Sequence, residues 1–111
     1  MAELSKTDVH RGSGIIKYKG EKIGRADEVY FAFQEVGFKH TPEEEEHSCY
    51  GTINGQLDRL DLIAEINPPD PNRITIKALV EGKEIVIEDV ELIDDIPKSG
   101  KLEEMEFHGR I

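Results

Sequence analysis

The stretch that decides the fold is Glu84 to Ile111, EIVIEDVELIDDIPKSGKLEEMEFHGRI. It carries no helical stripe. Ile85 and Ile87 share one phase of a two-residue period, and Val90 and Leu92 share the other, so the buried face changes near Asp89. A β-bulge makes that change, because one added residue moves the following side chains to the opposite face. Pro97 lacks a backbone donor and ends the run, and Ser99-Gly100 supplies turn chemistry. Strict alternation returns with Met105, Phe107, Gly109 and Ile111 on one face and Glu104, Glu106, His108 and Arg110 on the other. A strand of this kind needs a neighbour along at least one edge.

Working outward, the segment Arg73–Val80 alternates through Ile74, Ile76, Ala78 and Val80, and Glu81-Gly82-Lys83 turns it back into the strand at Glu84. Near the start, Ile15, Ile16, Tyr18 and Ile23 flank a turn at Lys19-Gly20-Glu21, with Gly24 closing a short hairpin. From Glu28 to Val36, Val29, Phe31 and Phe33 define one face of a further strand. The run from Leu57 to Asn67 is ambiguous: Leu57, Leu60 and Ala64 fit a helix, whereas Leu60, Leu62, Ala64 and Ile66 alternate as a strand. Its length and its flanks, Gly55 and Pro68-Pro69, favour strand. Residues 67–72, NPPDPN, read as a rigid extended connection. Strands at short spacing imply an all-β antiparallel sandwich or barrel. The domain reading is an arm over residues 1–13 and one domain over 14–111, with an acidic loop at 37–54.

The chain has 111 residues, 14 Lys and Arg against 24 Asp and Glu, and a formal charge of −10. That balance argues against a surface that grips a polyanion. Aromatic residues make up 6% and there is no Trp, so the expected core is aliphatic and thin, and a partner subunit is one way to cover more apolar surface. A single cysteine, Cys49, forms no internal disulfide and fits a reducing compartment. No apolar run approaches the ~18 residues of a membrane-spanning helix, and the opening MAELSKTDVHRG lacks a signal-peptide core, so a soluble chain made inside a cell is expected.

Constellations for chemistry are weak. His47 and Cys49, with His40 and His10, lack the paired spacing of a zinc site, and Glu43, Glu44, Glu45 and Glu46 lack the alternating ligands and glycine of a calcium loop. No orienting group accompanies Cys49 and His47 as a nucleophile and base. The Gly12-Ser13-Gly14 stretch precedes a strand, not a helix, and makes no phosphate cradle. The expectation is therefore no enzyme, no cofactor and no metal. Four adjacent glutamates, Glu43 to Glu46, repel and stay outside any core. The basic residues Lys17, Lys19, Lys22 and Arg25 gather on the first hairpin. A positive hairpin on a negative body can dock on the acidic loop of a neighbouring copy, with Tyr50 beside it.

Three features together resemble the tail-tube and related virion proteins of tailed bacteriophages and phage-like particles. They are the opening GIIKYKGEKIGRADEVYFAF with Gly14, Tyr18 and Gly20, the later Tyr50-Gly51 step, and the ending with Gly82, Pro97, Phe107 and Gly109. The resemblance runs from Gly12 to the end of the chain, although many such proteins carry a helix and further domains. It implies a β-sandwich or barrel whose sheets join sideways into rings, commonly hexameric, that stack through N-terminal arms and a long loop. It also implies a virion location after synthesis in the host cytoplasm, and partners that are copies of the chain and other tail proteins. DNA would pass a negatively charged lumen without specific binding, and no membrane would be involved. The alternatives are a tail-completion, terminator or baseplate ring protein, and a small β-barrel module that binds a ligand or protein in a pocket near Phe31 and Phe33.

Overall fold

A computed structural model describes residues 8–33, 48–66 and 74–111. Six strands form one closed antiparallel barrel: β1 (His10–Tyr18), β2 (Glu21–Phe33), β3 (Ser48–Leu57), β4 (Ile74–Val80), β5 (Lys83–Leu92) and β6 (Lys101–Arg110), in the order β1-β2-β3-β6-β5-β4 around the wall. The pairing of β1 with β4, Gly14 opposite Ala78 and Ile16 opposite Ile76, closes the ring. The fold is thus all-β and a barrel; the six strands make one closed sheet and not the two packed sheets of a sandwich.

The inner face follows from alternation. Ile16, Val29, Phe31, Ile53, Ile76, Val80, Ile87, Val90 and Phe107 are buried and fill the interior. Among the described residues this core has 21 buried apolar members, mostly aliphatic. Burial of that kind stabilises by about 25 cal/mol per Å² of apolar area. Close packing demands glycine at certain inner positions: a Cβ on Gly51 would land on the carbonyl oxygen of Tyr30, where β2 and β3 approach most tightly.

Two features set register. The hairpins β1–β2 and β4–β5 each turn on two residues with positive φ, Lys19 (51°) with Gly20 (80°) and Glu81 (50°) with Gly82 (79°). That is the turn whose twist matches paired strands. Bulges do the rest. The β4–β5 ladder steps from Ile76 opposite Ile87 to Ile74 opposite Val90, and Asp89 takes φ 51°, so the face switch expected near Asp89 is present. A second bulge at Glu104, φ 44°, brings Leu102 inside along with Met105; the Asn54 side chain accepts a hydrogen bond from the Glu104 N–H at 3.0 Å.

The structure corrects several expectations. Strand β1 begins at His10, so residues 10–13 belong to the barrel and not to an arm. His10 is buried, its ring 5.4 Å from Phe31, with Nδ1 3.0 Å from Glu81 Oε2. The second arm of the first hairpin and the strand read from Glu28 are one continuous 13-residue strand, bulged between Ala26 and Glu28. Within the stretch favoured as strand over 57–67, residues 60–66 are instead a 3-10 turn at Leu60–Leu62 running into a short helix α1 (Ile63–Ile66), while Leu57 ends β3 and Asn67 lies outside the described residues. The reason is topological. Strands β3 and β4 lie on opposite sides of the barrel, and the described part of the connection between them turns over the barrel end, where Ile63 and Ile66 are buried. Of the acidic loop placed at 37–54, the part from Ser48 onward is strand β3, while Glu43, Glu44, Glu45 and Glu46 lie outside the described residues, as does the proline-rich connection.

Candidate assembly surface

The interior is filled, so the candidate surface among the described residues is the outer wall. Alternation places Arg11, Lys17 and Arg25 outward on β1 and β2, with Lys19 at their turn and Lys22 just after it. Across the barrel, β5 and β6 put Glu88, Asp89, Glu91, Glu104 and Glu106 outward. Hairpin 10–33 holds five Lys and Arg against three acids; segment 83–111 holds four against nine. In the order β1-β2-β3-β6-β5-β4, strand β1 is opposite β6 and β2 is opposite β5. The strands between them are nearly uncharged: β3 has no Lys, Arg, His, Asp or Glu, and β4 has one cation, Lys77. The barrel therefore has a basic wall and an acidic wall facing away from each other.

Within the basic wall, Arg25 pairs with Asp27 at 3.1 Å and Arg11 with Glu28 at 3.2 Å. Lys19 reaches Glu65 at 3.4 Å across to α1, and that carboxylate raises its pKa. Lys17 and Lys22 sit opposite one another in the β1–β2 ladder, and neither makes an ion pair among the described residues. Like charges placed so weaken a ladder. At the α1 end, Arg59 bridges Glu21 at 2.8 Å and Asp61 at 2.9 Å, and its guanidinium holds the Asp61 carboxyl below the ordinary value of 3.8.

Over β4 the wall mixes apolar side chains with Lys77. Ile15, Lys77 and Val86 form one outward row across β1, β4 and β5, and Leu79, 61% exposed, stands in the next row between Ser13 and Glu84. Tyr50, half exposed on β3, borders a depression of about 350 Å³ with Thr52, Glu106 and His108.

The structure gathers Lys17, Lys19, Lys22 and Arg25 on one hairpin, as the sequence suggested, and places Tyr50 apart from them, on β3 opposite Ala32 and His108. The acidic counterpart within the described residues is the β5–β6 wall, which the sequence reading did not single out. Its signal was present: glutamates alternate against Val90, Leu92, Met105 and Phe107. Phe31 is buried in the core, and the half-buried Phe33 packs edge-on to it at 6.3 Å. Cys49 is buried beside Gly109, and burial pushes its thiol up to about 12, which keeps it protonated. Among the described residues no three His, Cys, Asp or Glu side chains converge as a metal site needs, and no helix is long and apolar enough to cross a membrane. Comparison with known protein families, curated proteins and solved structures gives no significant match.

Proposed function

We propose that this chain is a structural subunit that assembles with copies of itself into stacked rings, in the manner of the phage tail-tube proteins its sequence resembles, to enclose a passage for DNA. The observation that carries the reading is the strip formed by exposed Leu79 and half-buried Ile15 and Val86, with Lys77 between the last two, on the outside of a barrel whose interior is already full. Such a strip is a surface for another protein to cover. It lies over β4, between two charged walls, so the barrel offers two chemically different contact surfaces. A tube needs two: one within each ring and one between rings.

The mode of contact differs from the sideways joining of sheets that the resemblance implies. Every strand of a closed barrel already has two neighbours, so copies meet through outward side chains rather than by extending one another's sheets. The formal charge of −10 repels phosphate and suits a channel through which DNA slides. Negative-stain microscopy of the purified chain tests the reading. Stacked rings or tubes support it; single rings that do not stack would move the role to tail completion; particles no larger than one barrel would leave a small binding module.

A further inference from the structure

We infer that the basic β1–β2 wall of one copy docks on the acidic β5–β6 wall of the next, head to tail. The inference rests on the self-assembly reading and supplies the surfaces it uses. Lys17 and Lys22 face each other across the ladder with no acidic partner among the described residues, a repulsion that a neighbour's carboxylates relieve. On the opposite wall, Glu91 and Glu106 point outward from adjacent strands; the Ile93 N–H to Glu106 carbonyl hydrogen bond, 2.9 Å, holds those strands together at that level. Two walls of opposite sign on opposite sides of one barrel cannot satisfy each other within a two-fold dimer, where the same patch meets itself and sets lysine against lysine. They satisfy each other when every copy presents its basic wall to the acidic wall ahead. The contact is heterologous and propagates, which is the geometry of rings and filaments.

The overall charge of −10 sets copies apart at long range. At about 0.1 M salt the screening length is roughly 10 Å, so that repulsion is damped while charges in contact still act. At about 1 M salt the length falls to roughly 3 Å and the contact itself weakens.

Charge reversal of each wall tests this with the full chain. One variant carries Lys17→Glu and Lys22→Glu, so both its walls are acidic. The other carries Glu91→Lys and Glu106→Lys, so two lysines stand in the middle of the acidic wall. All four side chains are outward, and thermal melting confirms that each variant is folded. By sedimentation at about 0.1 M salt, each variant alone loses the large species the unaltered chain forms, and an equimolar mixture regains it. The unaltered chain loses it at about 1 M salt. If either reversed variant alone assembles as the unaltered chain does, the polarity is wrong while self-assembly stands. If the unaltered chain stays at a single subunit at about 0.1 M salt, both fail.

Discussion

Gly14 of β1 and Ala78 of β4 face each other on the inner side of the ladder that closes the barrel. Two small residues let the strands meet there: a Cβ on Gly14 would land on the carbonyl oxygen of Lys77. Closure of the sheet therefore depends on a position where nothing larger than hydrogen fits.

Gly14→Ala is expected to destabilise the barrel by about 3 kcal/mol, the upper end of the overpacking range, because the obstruction is backbone and cannot step aside. Gly82→Ala is the control. Gly82 has φ 79° and open space around it, so only the left-handed backbone is penalised, by about 1–2 kcal/mol. Urea midpoints of the two variants against the unaltered chain measure both; equal losses would mean that the seam is not tightly closed.

Leu79→Glu is expected to abolish assembly while changing barrel stability by less than about 0.5 kcal/mol, since the side chain is outward and mostly in solvent. Sedimentation reads the first effect and urea unfolding the second. Retained assembly would remove the Leu79 strip from the interface.

Cys49 gives a pH signature. Its pKa in the folded barrel is about 12, against an ordinary value of 9.0. The thiol therefore ionises more readily once unfolded. Its contribution is fully present below pH 9.0, and stability falls as pH rises from there towards 12, by at most about 1.4 kcal/mol per unit. Cys49→Ala removes this slope, and its urea midpoint between pH 8 and pH 10 should fall less than that of the unaltered chain. A thiol reagent at neutral pH should label Cys49 only as fast as the barrel opens.

Much of the barrel was legible because alternation with period two is a local signal. The inner faces at Ile74–Val80, at Val29–Phe33 and at Met105–Phe107 follow from it directly, and so does the bulge at Asp89, where the phase changes. Closure was not legible, since nothing local in β1 says that its second neighbour is β4, some sixty residues on. The helix over the barrel end was missed for the same reason. Ile63 and Ile66 are three apart, a helical spacing, but four residues of helix leave no longer stripe to outweigh Leu60, Leu62 and Ala64 in alternation. The basic half of the proposed assembly surface is one contiguous hairpin and was readable. The acidic half joins two strands separated by an irregular connection, and its charges add up only once β5 and β6 are seen side by side.

The most direct measurement is the sedimentation velocity of the purified chain at micromolar concentration in about 0.1 M salt. The account expects species many times heavier than the 12.6 kDa subunit, growing with concentration. A single 12.6 kDa species at every concentration would contradict it.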